Sequence, residues 1–177
     1  FPDITYSFYD VWAELYAIPY ETVPLATDFT LRPEDYAREN GGVIFANPNA
    51  PTGLALPLSG VEEILAKNPE SVVIVDEAYV DFGAETALPL LKKYENLVVV
   101  RTMSKSRALA GMRIGYAFAS KRLIRAMEDV KASINSYTMT TLSLAAGKAA
   151  IEDEDYFQQT LGKIIKTREE TKASLQK

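Results

Sequence analysis

Four short apolar segments alternate with helical patterns along this chain, and they constrain its fold more than any other feature. Aliphatic, aromatic and small residues fill them, without the regular polar alternation of a half-exposed strand. The four segments are Val43–Ala46, Val72–Val75, Leu97–Val100 and Ile114–Ala119. Short apolar strands separated by helices are typical of a parallel sheet that is covered on both faces. We therefore predict an α/β protein with three layers, α/β/α, around a mostly parallel sheet.

The other segments predict helices and short connections. Apolar residues at helical spacing, or helix start signals, predict helices at Tyr6–Ala17, Ser59–Lys67, Leu88–Tyr94, Lys121–Ile134, Thr138–Ile151 and from Glu154 to the end. Leu31–Arg38 predicts a short surface helix, and Tyr20–Pro24 a short extended segment. Ser59, three residues before Glu62, predicts a capping box. No repeat or linker divides residues 1–177, which indicates one domain.

Three of the apolar segments are followed directly by polar side chains. Asn47 follows the first, Asp76 the second, and Thr102, Ser104 and Lys105 the third. Ligands of open α/β sheets bind outside the carboxyl ends of the strands. These side chains are therefore expected to share one edge of the sheet and to form one site there.

The third group, together with Arg113, can bind a phosphate and an aldehyde at the same time. The hydroxyls of Thr102 and Ser104 and the guanidinium of Arg113 suit a phosphate monoester. Lys105, if shielded from water near a cation, has a lowered pKa and can add to an aldehyde. Pyridoxal phosphate carries both groups, so we predict that Lys105 holds this cofactor. The alternative interpretation of Lys105 is an ordinary surface lysine after a strand.

Two residues after the second strand fit the other end of the same cofactor. Asp76 can keep a pyridine nitrogen protonated, which makes the ring an electron sink, and Tyr79 can place its hydroxyl near the ring oxygen. Their alternative roles are a turn carboxylate and a packing tyrosine. Glu77 and Asp81 are interpreted as solvated or structural. Arg107 is interpreted as a surface residue or as a partner for a negative charge of the substrate.

Composition excludes several other chemistries. The 177 residues include no cysteine and no histidine, which excludes thiol nucleophiles, imidazole bases and most transition-metal sites. A net charge of −5 without a basic run argues against nucleic acid as a partner. No apolar stretch reaches the roughly 18 residues of a membrane span, and no signal peptide opens the chain. We therefore expect no metal, no membrane contact and a cytoplasmic location.

Three stretches of this chain, in order, resemble the fold-type-I pyridoxal-phosphate enzymes, and most of all the histidinol-phosphate aminotransferase family. They are Asn47–Gly53, Val75–Phe82 and Arg101–Gly115, and Pro2–Tyr9 adds a weaker fourth. The resemblance implies the large domain of the aspartate-aminotransferase-like fold. It also implies a homodimer with active sites at the subunit boundary.

The resemblance implies a role for each matching residue. Lys105 would bind the cofactor as an imine and then move a proton between the substrate α-carbon and C4′ of the cofactor. The implied cofactor contacts are Asp76 with the pyridine nitrogen, Tyr79 with the phenolic oxygen, Thr102, Ser104 and Arg113 with the phosphate, and Tyr6 with the ring face. The chain departs from the family at Ala50, where an asparagine normally bonds the phenolic oxygen, so Asn47, Asn49 or a water is expected to take over that contact.

The implied activity is transfer of an amino group between histidinol phosphate and 2-oxoglutarate, in histidine biosynthesis. Another amino-acid aminotransferase, a phosphothreonine-type decarboxylase or a binding protein without catalysis are the alternatives. Ser106 and Arg107 stand where the family more often has small and aromatic residues, which leaves the substrate open. The family's amino-terminal segment and small domain would lie before Phe1 and after Lys177. We expect little transaminase activity from residues 1–177 alone.

Overall fold

The computed structural model describes residues 1–176 and is organised around a four-stranded sheet. The strands are β1 (Gly42–Ala46), β2 (Val72–Asp76), β3 (Leu97–Thr102) and β4 (Gly115–Ala119), and they lie in this order across the sheet. β1, β2 and β3 are parallel, and β4 runs antiparallel to β3. The predicted α/β class with a mostly parallel sheet is confirmed.

The helices of the described residues follow the predicted pattern with shifted boundaries. The α-helices are α1 (Tyr9–Leu15), α2 (Leu58–Lys67), α3 (Lys121–Ile134), α4 (Thr141–Glu152) and α5 (Glu154–Leu175). Short 3₁₀ turns occupy Pro33–Tyr36, Val80–Phe82, Leu88–Lys92 and Ala110–Met112. The prediction for α3 has the observed bounds, and α1 begins three residues later than predicted.

Three details of the predicted helices are wrong, each for a local reason. α2 begins at Leu58 after Pro57, without a side-chain cap, so Ser59 lies inside the helix rather than at its cap. Leu88–Lys92 is a 3₁₀ turn with proline near its start, rather than an α-helix. The segment around Pro33–Tyr36 is also a 3₁₀ turn, and Tyr36 is buried instead of facing solvent, because it packs against Phe45.

The hydrophobic core lies between α2 and one face of the sheet. Its fully buried side chains come from α2 and from alternate positions of the first three strands: Val61, Ile64, Leu65, Phe45, Val73, Val75, Leu97 and Val99. The opposite face is less covered, since Ile44 and Ile74 are only partly buried within the described residues. The two faces of the sheet therefore differ in burial, although the residues on both faces of the strands are apolar.

The parallel strands end together at one edge of the sheet, and this edge carries the polar residues. The Asn47 amide donates to the Asp76 carbonyl at 2.8 Å, and the Glu77 amide donates to the Val100 carbonyl at 2.8 Å. Thr102 pairs with Gly115 at the end of β3. The edge expected to form one site is thus continuous across the sheet. Among the described helices, none is long and apolar enough to cross a bilayer.

Candidate active site

Asp76 ends β2 at the centre of this edge, and two donors hold its carboxylate. The Tyr9 hydroxyl donates to Oδ2 at 3.0 Å, and the Ala78 amide donates to Oδ1 at 3.0 Å. Burial raises the pKa of Tyr9 well above its usual value, and the Asp76 carboxylate acts in the same direction. The Tyr9 hydroxyl is therefore a donor at neutral pH, and with the Ala78 amide it fixes the orientation of the Asp76 side chain.

Lys105 lies in a loop after β3 and faces Tyr79 of the loop after β2. Its Nζ is 5.2 Å from the centroid of the Tyr79 ring. The loop of residues 103–109, called the lysine loop below, is closed by a hydrogen bond from the Leu109 amide to the Met103 carbonyl at 2.9 Å. The structure thus brings the predicted lysine and tyrosine together beside the strand that ends in Asp76.

The expectation that Lys105 is shielded from water is wrong for the residues described. Lys105 is exposed, while its neighbours Ser104 and Ser106 are partly buried and buried. Among the described residues, the contact shown for the lysine Nζ is the Tyr79 ring, 5.2 Å away at its centroid. A free amine at an open edge can be reached by a small ligand, but this part of the chain does not desolvate it.

Thr102 and Ser104 are linked at the start of the lysine loop, and Thr102 also contacts the residue after Arg113. The Thr102 hydroxyl donates to the Ile114 carbonyl at 3.2 Å and accepts from the Ser104 amide at 3.0 Å. Arg113 is exposed in a left-handed conformation with φ of 55°, and its Nη1 donates to the Ala110 carbonyl at 2.9 Å. A guanidinium and two hydroxyls are donors of the type that binds an anion, and the Thr102–Ile114 hydrogen bond places Thr102 next to the backbone of Arg113.

Tyr6 lies just before α1 rather than inside it, and it belongs to a group of aromatic rings. Its ring centroid is 5.6 Å from that of Tyr9 at 80°, and 6.0 Å from that of Trp12 at 63°. Tyr6 is 43% exposed. The Tyr6 ring thus contacts the ring of Tyr9, whose hydroxyl donates to Asp76.

The loop after β1 uses its two asparagines for its own structure. Asn47 is 2% exposed; its Oδ1 accepts from the Leu56 amide and its Nδ2 donates to the Leu56 carbonyl, at 2.7 and 3.0 Å. Asn49 binds Ile4 and Thr52 through Nδ2, and its Oδ1 accepts from the Thr5 hydroxyl at 2.8 Å. Asn49 thereby fixes the segment that leads into Tyr6.

Glu77, beside Asp76, is a structural residue and is fully buried. Its Oε2 accepts from Nε and Nη2 of Arg101, at 3.0 and 2.8 Å. Its Oε1 accepts from the Ala87 amide at 2.6 Å, and the Thr86 hydroxyl donates to both oxygens. This ion pair joins the ends of β2 and β3, which carry Asp76 and the lysine loop.

Arg107 is neither a solvated surface residue nor a free cation for a substrate. Its guanidinium donates to the Ala150 carbonyl at 2.7 Å and to the Glu154 carboxylate at 3.1 Å. The guanidinium carbon lies 3.4 Å from the centroid of the Phe157 ring. Arg107 therefore fastens the lysine loop to the junction of α4 and α5.

Sequence reasoning missed three participants at this edge. Tyr9 lies within the predicted first helix, and no feature of the sequence marks its hydroxyl as the partner of Asp76. Ser106, whose hydroxyl donates to the Asp81 carboxylate, lies 25 residues from its partner. The partners of Arg107 lie on α4 and α5, 43 to 47 residues further along the chain. The fold brings these residues together from distant parts of the chain, and no local sequence motif predicts the contacts.

Comparison with known proteins relates this chain to one family. The whole chain, residues 1–177, matches the family described as aminotransferase class I and II. It is 55% identical to histidinol-phosphate aminotransferase of Lactococcus lactis subsp. cremoris (strain SK11), over 98% of this chain and 49% of that protein. It is 56% identical to histidinol-phosphate aminotransferase 2 of Dechloromonas aromatica (strain RCB), over 99% of this chain and 49% of that protein.

Solved structures agree on the fold. The histidinol-phosphate aminotransferase from Clostridium acetobutylicum superposes with a TM-score of 0.89, at 24% identity, over 97% of this chain and 53% of that one. The enzyme from Sinorhizobium meliloti, solved in complex with pyridoxal-5'-phosphate, gives a TM-score of 0.81 at 26% identity, over 95% of this chain and 47% of that one. The chain spans about half the length of the curated relatives it matches.

Proposed function

The chain belongs to the class I and II aminotransferase family, and from this membership we propose that the protein transfers an amino group between histidinol phosphate and 2-oxoglutarate, with pyridoxal phosphate as cofactor. The observation that carries the proposal is the edge where Lys105 faces Tyr79 beside the Tyr9–Asp76 hydrogen bond. Relatives with the histidinol-phosphate aminotransferase name at 55% and 56% identity support the substrate.

The donors and acceptors at the edge fit the proposed cofactor. A primary amine, a carboxylate and two hydroxyls lie at the ends of β2 and β3 and in the lysine loop, and the Arg113 guanidinium lies shortly before β4. Pyridoxal phosphate supplies an aldehyde and an electron-withdrawing ring to such a site. Asp76 would hold the ring nitrogen, Tyr79 the ring oxygen, Tyr6 the ring face, and Thr102, Ser104 and Arg113 the phosphate.

Among the residues of this chain, Lys105 would be the one that reacts with the cofactor and transfers the proton. Its Nζ would hold the cofactor's aldehyde carbon and afterwards, as a free amine, carry a proton to and from the substrate's α-carbon. The ring of Tyr79 limits where this Nζ can move, since the two lie 5.2 Å apart. Positioning of this kind accounts for a large share of an enzymatic rate.

Asn47 and a water are the remaining candidates for the contact that Ala50 cannot make. Both N–H groups of the Asn49 amide have partners, Ile4 and Thr52, so this side chain has no donor left for a ligand. The Asn47 amide nitrogen has one recorded partner, Leu56, and keeps a second N–H. We propose Asn47 as the cofactor contact, directly or through a water.

The chain's share of the proposed enzyme is the cofactor-binding large domain. Because it spans about half the length of its relatives, we propose that residues 1–177 alone have little transaminase activity. We further propose a cytoplasmic homodimer with active sites at the subunit boundary. Sedimentation of the complete polypeptide tests the dimer, and a strictly monomeric active enzyme would contradict it.

The substrate is tested with a panel of amino donors and the complete polypeptide. We expect formation of glutamate from 2-oxoglutarate to be fastest with histidinol phosphate, measured as kcat/KM. Aromatic and aliphatic amino acids and phosphothreonine are the comparison substrates, with release of carbon dioxide measured for the last. Activity with any of these but none with histidinol phosphate would contradict the proposed substrate while leaving the cofactor proposal intact.

Tyr9→Phe is expected to weaken pyridoxal phosphate binding by about ten- to a hundredfold, because a hydrogen bond to a charged group is worth about 1.5–3 kcal/mol. The substitution keeps the ring and removes only the hydroxyl that donates to Asp76. Equilibrium titration of the cofactor-free protein gives the Kd. Tyr16→Phe, at an exposed tyrosine after α1, is the matched control and should bind normally. An unchanged Kd for Tyr9→Phe would show that Asp76 does not need this donor.

A further inference from the structure

Two side chains directly after Lys105 attach the lysine loop to different parts of the protein. Ser106 is 7% exposed, and its hydroxyl donates to Oδ2 of Asp81. The side chain of Arg107 is 18% exposed and lies on the Phe157 ring, with its guanidinium carbon 3.4 Å from the ring centroid. Neither side chain has a role in the proposed reaction. Both therefore invite another explanation.

The Ser106–Asp81 hydrogen bond spans the gap between the two loops that meet at the site. Ser106 is the residue after Lys105, and Asp81 is the second residue after Tyr79. A hydrogen bond between these positions fixes the backbone of one loop against the other. It is therefore positioned to set the 5.2 Å separation between the lysine Nζ and the tyrosine ring.

Helix α5 supports both loops from the same side. The Arg107 guanidinium stacks on Phe157 and donates to Glu154 at the start of α5. Further along α5, Nη1 of Arg168 donates to the Phe82 carbonyl, at 2.7 Å, in the loop that follows Tyr79. Phe157 and Arg168 are about three helical turns apart and share one face of the helix. One rigid element thus holds both loops.

We propose that Asp81, Ser106 and Arg107 are positioning residues that hold Lys105 against Tyr79 for reaction with the cofactor's aldehyde, an inference that rests on the proposed function. Within the described residues Lys105 is exposed, so the backbone of its loop determines where its side chain starts. A long side chain at an open edge has many rotamers, and only a fixed backbone on both sides confines its amine. Hydrogen bonding through Ser106 and stacking through Arg107 supply that restraint without touching the ligand.

The test compares variants of the two attachments in the complete polypeptide. Ser106→Ala and Asp81→Ala remove the hydrogen bond, and Asp81→Asn keeps an acceptor for the serine hydroxyl. Arg107→Lys keeps the charge and loses the planar stack on Phe157. Arg32→Lys, at an exposed ion pair with Asp35, is the matched control for the arginine change.

Two measurements use protein that starts without cofactor. Amide hydrogen exchange over residues 103–109 reports the order of the lysine loop, and borohydride trapping at timed intervals gives the rate at which Lys105 captures pyridoxal phosphate. We expect faster exchange, and capture slowed by about ten- to a hundredfold, in Ser106→Ala, Asp81→Ala and Arg107→Lys, because small misplacements of a reacting group have effects of this size. Asp81→Asn should recover most of the capture rate, and Arg32→Lys should behave as wild type.

Steady-state kinetics separate positioning from substrate binding. The three variants should lower kcat and leave the KM for the amino donor within about twofold, since the side chains touch no substrate. If the variants lose folding stability but capture pyridoxal phosphate at the normal rate and keep a normal kcat, then Asp81, Ser106 and Arg107 have only a structural role. That result would overturn the inference. Failure of the wild-type protein itself to capture the cofactor would instead overturn the proposed function, and the inference with it.

Discussion

Lys105→Ala is expected to abolish covalent attachment of pyridoxal phosphate and to lower turnover by at least about a thousandfold. General acid–base catalysis alone contributes about 10²–10⁴-fold, and this variant also loses the nucleophilic amine. Borohydride reduction followed by peptide mapping should place the pyridoxyl group on Lys105 in the wild-type protein and on no residue in the variant. Turnover is measured as glutamate formed from 2-oxoglutarate.

Two further substitutions make the result specific to this amine. Lys105→Arg keeps the positive charge but cannot attach an aldehyde, so it should be as inactive as the alanine variant. Lys148→Ala, at an exposed lysine on α4, should be fully active and labelled at Lys105. If Lys105→Ala kept the turnover of the wild type, the catalytic role of Lys105 would be rejected. A protein that binds its ligand normally without Lys105 and without turnover would support the non-catalytic alternative.

Glu77→Ala should lower the free energy of unfolding by about 3–5 kcal/mol, which is the usual effect of breaking a buried ion pair by removing one partner. The Glu77 side chain is 0% exposed and that of Arg101 is 18% exposed. Removal of the carboxylate leaves the guanidinium, the Thr86 hydroxyl and the Ala87 amide without their shared acceptor. Denaturant titration of the complete polypeptide gives the free energy, provided that the transition is two-state.

The control for this change is a glutamate that pairs with a basic residue at the surface. Glu63 pairs with Lys67 on α2 at 2.6 Å, with its side chain 45% exposed, and Glu63→Ala should cost less than about 1 kcal/mol. Replacing both partners, by Glu77→Gln with Arg101→Met, should be less destabilising than Glu77→Ala, because no unpaired charge stays buried. Equal losses at Glu77 and Glu63 would contradict the structural role given to the buried pair.

Two contacts could not be predicted from the sequence: the Glu77–Arg101 ion pair and the Ser106–Asp81 hydrogen bond. Glu77 follows Asp76 directly, and the sequence alone left open whether it is solvated or structural. Its partner lies 24 residues away on a strand whose register with β2 the sequence does not contain. Once that register is known, the Glu77–Arg101 pairing follows. Asp76 at the end of β2 is paired with Val100 of β3, and Glu77 and Arg101 are the next residues along the two strands.

For Lys105, the sequence predicts the kind of ligand but does not predict how far the side chain is exposed. The hydroxyls before it and Arg113 after it predict the kind of ligand from residue types alone. Its exposure depends on which elements cover the sheet edge, a property of distant segments. Tyr9 is similar: it lies within the predicted first helix, and only the fold brings Asp76, 67 residues later, to its hydroxyl.

The sequence by itself determined the α/β class, the strands, and the edge at which polar groups collect, because apolar runs and strand ends are local properties of the chain. It also determined which chemical groups stand at that edge. Only the tertiary structure decided which partner each group takes: Tyr9 for Asp76, Arg101 for Glu77, Asp81 for Ser106. These partners are 24 to 67 residues apart, and their meeting depends on strand order, register and helix packing, which act across the whole domain.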